Sequence, residues 1–250
     1  MEPRIKILNV FIRSIAINEL LKKMDKGVLV TPNLDHMVKL QKDKEFYDIY
    51  KSAEWVICDS KVLLVQSVFL GKSIKEAIPG SSLFPAYCDF HKNDSNIKIF
   101  LLGAAPGVAN KAMNNINKRI GRPLVVGAHS PSFGFEKNEQ ECENIINMIN
   151  NSDSTVLVVG VGAPKQEKWI NKYKDRLKNI KLFMPLGATI DFEAGNIKRC
   201  PKIFQKIGFE WFYRLIKEPK RMWKRYLVDD MQFFYYLIKQ KVGLYKNPFE

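Results

Sequence analysis

The chain has 250 residues, 46% of them hydrophobic and 12% aromatic, with a formal net charge of +14 at pH 7. That length suits one large domain or one domain with an appendage, and the apolar content excludes global disorder. No stretch approaches the roughly 20 apolar residues that span a bilayer.

The first six residues, MEPRIK, lack the apolar h-region of a signal peptide. Residues 5–10 read as a first strand, followed by a helix over 14–24 with Ser14 as N-cap and Gly27 as the stop beyond it. A strand at 28–31 leads into a helix over 34–51, and a short strand at 55–58 follows. Residues 97–102, 124–126, 155–159 and 182–185 complete the strands, with helices over 108–119, 136–149 and 164–173 between them. Strands alternating with helices of this length imply βαβ units and a Rossmann-like, mainly parallel sheet flanked by helices. No internal repeat or low-complexity tract interrupts the pattern.

The chain changes character after Gly195. Between Lys198 and Arg225 stand ten lysines and arginines against two acids, Glu210 and Glu218. Trp211, Phe212, Tyr213, Trp223 and Tyr226 are interleaved with them. A solvated basic face is the plain reading, but amphipathic rings among cations suit an anionic membrane interface. The expected organisation is therefore an α/β core over 1–195 and a helical basic appendage over 196–250, broken at Pro219 into two helices. The cysteines, Cys58, Cys88, Cys142 and Cys200, include no CxxC pair. They read as reduced cytosolic thiols, neither a zinc site nor a disulfide framework.

Four strand ends carry polar chemistry. Thr31-Pro32-Asn33-Leu34-Asp35-His36 places a hydroxyl, an amide and a carboxylate after the second strand. Cys58-Asp59-Ser60 follows the third. Gly103-Ala104-Ala105-Pro106-Gly107 is a glycine turn that opens a helix. The fourth is Gly160-Val161-Gly162-Ala163-Pro164-Lys165-Gln166-Glu167, where backbone N–H groups and a helix N-terminus meet a lysine, an amide and a carboxylate. Ligands of open α/β sheets bind at the carboxyl ends of the strands, so the four turns should converge on one crevice.

Each turn also has a plain structural reading. Thr31, Asn33 and Asp59 are ordinary helix caps when taken singly, and Lys165-Gln166-Glu167 is an ordinary polar first turn. Residues 103–107 match neither GxGxxG nor GxxxxGK[ST]. The missing GxGxxG argues against a dinucleotide dehydrogenase, and no GxSxG elbow supports a Ser-His-Asp triad. The histidines carry no metal or catalytic assignment. Asp191 and Glu193 superficially resemble a metal-binding DxD, yet a metal-free site is expected. A basic nucleic-acid-binding protein is the rival of another class, but no RRM, KH or helix-turn-helix signature is present.

Taken together the turns resemble the WecG/TagA/CpsF family of bacterial glycosyltransferases. The resemblance is carried by TPNLDHMVKL, by CDS with LGKSIKEAIPGSSLF, by FLLGAAPGVANKA and VVGVGAPKQEKWI, and by LGATIDFEAGNIKRCP and IGFEWFYRLIKEPKRMWKRYL. These elements stand in family order over nearly the whole chain, and GxGxPKQExW and FEWxYRLxxEPxRxxxRY are long, specific patterns.

The resemblance implies an inverting, metal-independent transferase without cofactor, peripheral at the cytoplasmic face of the membrane. It would move N-acetylmannosamine or a relative from a UDP donor to a polyprenyl-diphosphate-linked amino sugar of the GlcNAc type. Such products feed teichoic acid and other cell-surface polysaccharides. UDP-glucose or a UDP-uronic acid is the alternative donor, and a homo-oligomer is possible. By the same resemblance, Asp59 is the base that takes the acceptor's proton, while Thr31 and Asn33 hold sugar hydroxyls or orient that base. Gly103, Ala104, Gly162, Lys165, Gln166 and Asp191 bind the donor. Arg214, Arg221 and Arg225 bind diphosphate. The chain departs from the family at Ser60, where glycine is usual, at Ala77, where arginine is usual, and at Ser82, where aspartate is usual. Lys72 and Lys75 are the cations nearest the missing arginine.

Overall fold

The computed structural model describes residues 2–197 and 230–250, together with Pro219 and Trp223. The alternating segment at the start does not form one strand. It folds back as a hairpin of β1 (Arg4–Ile7) and β2 (Val10–Arg13), antiparallel with Ile5 opposite Ile12. The turn falls at Leu8, whose φ of 53° is left-handed.

In chain order α1 (Ile17–Lys23) precedes β3 (Gly27–Val30), which is followed by α2 (Leu34–Lys39) and α3 (Lys44–Ser52). Next come β4 (Trp55–Val56), α4 (Lys61–Phe69) and α5 (Gly80–Phe90). Then β5 (Ile99–Gly103), α6 (Val108–Ile120), β6 (Val125–His129) and α7 (Glu139–Asn150) follow. β7 (Val156–Gly160), α8 (Lys165–Tyr173), β8 (Leu182–Pro185), α9 (Thr189–Glu193) and α10 (Met231–Lys241) complete the described elements.

Strands β3 to β8 form a six-stranded, wholly parallel sheet in the order β4-β3-β8-β7-β5-β6. This is the expected Rossmann-like α/β architecture. Both faces are covered, so the strands read as unbroken β-branched and leucine runs while alternate side chains enter opposite cores. Val28, Val30, Phe100, Leu102, Leu157, Val159 and Phe183 pack with α2, α3, α4, α7 and α8. Leu29, Ile99, Leu101, Val156, Val158, Leu182 and Met184 pack with α1, α5, α6 and α9.

Local boundaries differ from the sequence reading for identifiable reasons. Ser14 is not the cap of α1. Its hydroxyl accepts from the Lys75 N–H at 2.9 Å, and the Glu76 carboxylate caps the helix instead, taking the Ile17 N–H at 2.8 Å. The helix expected over 34–51 breaks at residues 40–43, where Asp43 starts α3 by accepting the Phe46 N–H at 3.0 Å. Gly27 opens β3 rather than closing α1.

The described end of the chain packs with the core. Phe233 and Leu237 of α10 are buried in the same cluster as Leu8 and Ile12. Gln240 accepts the Leu8 N–H at 2.7 Å and donates to the Lys6 carbonyl at 3.2 Å. The Tyr245 hydroxyl donates to Gln41 Oε1 at 2.6 Å, and the Tyr47 hydroxyl to Glu250 Oε1 at 2.9 Å. Residues 230–250, the described end of the expected appendage over 196–250, thus pack against the core; most of residues 198–229 lies outside the described residues. Among the described residues no helix is long and apolar enough to cross a membrane. Cys58, Cys88 and Cys142 are buried free thiols.

Candidate active site

The pairing of β3 with β4 runs on past both strands. Ile57 N–H donates to the Val30 carbonyl at 3.0 Å and Asp59 N–H to the Pro32 carbonyl at 3.2 Å. This register sets Asp59 beside the Thr31-Pro32-Asn33 turn, so two of the expected strand ends meet. Asp59 is half-buried, and its Oδ1 accepts the Gly80 N–H at 3.0 Å. Gly80 is the first residue of α5. A carboxylate against the first turn of a helix gains from the N–H donors and dipole there, and the bond fixes the rotamer of Asp59.

Thr31 is buried at the end of β3. Asn33 caps α2, its Oδ1 accepting the His36 N–H at 3.1 Å. Ser60, which stands where the resembling family has glycine, caps α4 by accepting the Val62 N–H at 3.2 Å.

Contacts carry the site on across the sheet. Gly80 packs against Leu186, just past β8, and against Thr189, the first residue of α9. The Gly187 N–H donates to Gln166 Oε1 at 3.2 Å, and the Gly162 N–H donates to the same oxygen at 3.1 Å. Gln166 Nε2 donates to Glu167 Oε1 at 2.9 Å. Both polar ends of this buried amide are engaged inside the protein, where it pins the β7 turn to the β8 turn.

Three glycines let the strand ends close up. A Cβ on Gly103 would lie 2.5 Å from the Gly160 carbonyl oxygen, and one on Gly160 would lie 2.5 Å from the Gly187 carbonyl oxygen. Gly103 also has a φ of 135°. The Ala104 N–H donates to the Gly160 carbonyl at 3.2 Å. Gly160→Ala should therefore cost about 1–3 kcal/mol by overpacking backbone against backbone. A lowered denaturation midpoint with loss of activity is expected; unchanged values of both would contradict this packing.

Lys165 begins α8 beside Gly162, its Nζ 4.0 Å from Glu136 Oε1. Lys39 ties α2 to the same turn, with Nζ 2.8 Å from Asp35 Oδ2 and 3.3 Å from the Ala163 carbonyl. Asp191 lies half-buried on α9. Its DxD partner is committed elsewhere, because Glu193 Oε2 is 2.9 Å from Arg119 Nη1. Among the described residues no three His, Cys, Asp or Glu side chains converge on a metal-sized site.

Lys75 does not turn toward Asp59: its Nζ pairs with Glu19 on α1 at 2.9 Å. Ala77 packs against the core. Arg214, Arg221 and Arg225 lie outside the described residues. A cleft lined by Lys44, Glu45, Asp48, Ile49, Ser52, Asn171 and Lys174 contains none of the turn residues.

One feature behind these turns escaped the sequence reading. Glu167 is almost wholly buried, and its Oε2 has no hydrogen-bond partner among the described residues. Burial pushes its carboxyl up to about 7; the Asp35 charge adds to the rise, while the Gln166 hydrogen bond and the Lys39 charge oppose it. The Glu167 charge likewise helps burial to raise the fully buried Tyr50 phenol, whose hydroxyl meets His36 Nδ1 at 2.7 Å. Only the fold brings Asp35, Lys39, Tyr50 and Glu167 together, from three helices.

The model of the glycosyl transferase WecG/TagA/CpsF family matches residues 5–247. The chain is 28% identical over 205 residues to the N-acetylglucosaminyldiphosphoundecaprenol N-acetyl-beta-D-mannosaminyltransferase of Bacillus spizizenii, covering 81% of this chain and 76% of that protein. Enzymes of the same name from Staphylococcus aureus and Bacillus subtilis are each 27% identical. Those alignments cover 78% and 80% of this chain and 73% and 75% of the relatives.

Proposed function

This chain belongs to the glycosyl transferase WecG/TagA/CpsF family, and on that premise we propose that it transfers N-acetylmannosamine from a UDP donor to GlcNAc-diphosphoundecaprenol. The observation that carries this reading is the run of contacts from Asp59 through Gly80 and Gln166 to the glycine turns. It joins a positioned carboxylate to the glycine turns that lead into the N-termini of α6 and α8, the kind of place where a diphosphate is favoured. The relatives' names support both the sugar and the lipid-linked acceptor.

In this mechanism Asp59 takes the proton from the acceptor hydroxyl as that oxygen attacks the anomeric carbon. The bond from the anomeric carbon to the UDP oxygen breaks on the opposite face, inverting the configuration, and UDP leaves with the electron pair. Negative charge then grows on the diphosphate. We assign its stabilisation to the N-terminal turns of α6 and α8, which follow the Gly103-Ala104 and Gly162 turns, to Lys165, and to Arg214, Arg221 and Arg225. Guanidinium forks suit bidentate phosphate binding. No metal is called on. Gln166 acts through the two turns it joins, and Thr31 and Asn33 shape the acceptor side of Asp59.

With +14 of charge and the aromatic-basic stretch between Lys198 and Arg225, the chain is suited to an anionic membrane surface holding the acceptor. The test is purified protein with a panel of UDP-sugars and a short-chain lipid-diphosphate-GlcNAc acceptor, read by product mass. UDP-N-acetylmannosamine should give the dominant product. Preference for UDP-glucose or a UDP-uronic acid would replace the donor, and no transfer from any UDP-sugar would overturn the reading.

A further inference from the structure

Phe133 is fully exposed in the loop between β6 and α7. The stretch just before Phe133 is tied down at two points. Ser130 Oγ lies 3.1 Å from the Gly103 carbonyl oxygen and 2.9 Å from that of Ala105, a shared hydrogen bond that ties the loop to the β5 turn. Ser132 gives its N–H and hydroxyl to the Glu141 carboxylate at 2.8 and 2.6 Å. Directly after these anchors Phe133 meets α8, where Lys165 Nζ lies 5.2 Å from the ring centroid. The ring is thereby placed beside the glycine turns of β5 and β7, next to a cation and open to a ligand.

We infer that Phe133 is the stacking platform for the nucleobase of the nucleoside-diphosphate donor. The assignment rests on the donor reading above and adds its direction along the crevice. Asp59 stands at the β4 edge of the sheet, the glycine turns at β7 and β5, and the Phe133 loop at the β6 edge. A sugar nucleotide whose anomeric carbon faces Asp59 and whose diphosphate meets the glycine turns runs its nucleoside toward β6. An aromatic face there meets the base, while Lys165 meets the diphosphate beside it. Stacking on a ring is tolerant of base identity, so this contact supplies affinity and leaves discrimination among bases to other groups.

The test is calorimetric titration of the full chain and of Phe133→Ala with UDP and, separately, with inorganic diphosphate. UDP binding should weaken about five- to a hundred-fold, the range that base–aromatic stacking supplies. Diphosphate binding should stay within twofold, and Phe133→Tyr should restore UDP affinity. Phe133→Ala binding UDP within twofold of the parent overturns the platform, as does an equal loss for UDP and diphosphate. A change in self-association with UDP affinity intact would show the ring to be a protein contact and also overturns it. A parent chain that binds no uridine nucleotide removes the donor reading itself, an outcome distinct from failure of Phe133 alone.

Discussion

Asp59→Asn should lower kcat by about 10²- to 10⁴-fold, the usual contribution of a positioned general base. The substitution keeps the shape of the side chain and an Oδ1 that can still accept the Gly80 N–H. The cap on α5 therefore survives, and the denaturation midpoint should stay close to that of the parent. KM for both substrates should change little, because the lost interaction acts on the proton moving in the transition state. Asp59→Ala removes the base and the α5 contact together, so it should lose activity and stability at once. Near-parental kcat in the asparagine variant would remove Asp59 from the mechanism.

Glu167→Gln should make the protein more stable, and increasingly so as pH rises. The buried carboxyl is pushed from 4.5 to about 7 by desolvation. Between those values the folded chain holds a proton that the unfolded chain has released. Stability from this group is fully present below about 4.5 and is lost as pH rises toward and through 7. A shift of that size corresponds to about 3 kcal/mol. Glutamine stays neutral and can still accept from Gln166 Nε2. The two proteins should therefore unfold alike near pH 5, and the variant several degrees higher near pH 8. Thermal melts across that range check the sign. A gap that does not widen with pH would mean that Glu167 is ionised in the fold at little cost.

The fold was legible where one physical signal dominated. The apolar runs at 99–103 and 156–160 lie in the interior of the sheet and end in glycine, so their strands and their place in a mainly parallel sheet followed from the sequence. The hairpin did not, because apolar residues run from Ile5 to Ile12 interrupted only by Lys6 and Asn9, and no glycine or proline marks the turn. Helices α4 and α5 were missed for opposite reasons. Lys61–Phe69 is apolar on nearly every side, leaving Val65, Val68 and Phe69 exposed, and so shows no amphipathic period. Gly80–Phe90 begins with glycine and contains Pro85, two residues that argue against a helix.

The candidate site was legible as a set of turns and illegible as a network. Asp59, Thr31 and Asn33 stand at strand ends that sequence order alone could bring together. The commitment of Gln166 to Gly162 and Gly187 depends on a residue 21 positions away and on the order of β7 and β8. Glu167 looked like a favourable acid in a first helical turn. Its burial comes from packing between the sheet and α2 and α3, which no local pattern encodes.

The proposed reaction is single-step inverting transfer with Asp59 as the base at the acceptor oxygen. Its most direct test is the anomeric configuration of the product made from an α-linked UDP-N-acetylmannosamine and the lipid-diphosphate-GlcNAc acceptor, read by NMR. The account predicts a β-linked disaccharide. An α-linked product would contradict it, because retention requires a second displacement that this site is not assigned to perform.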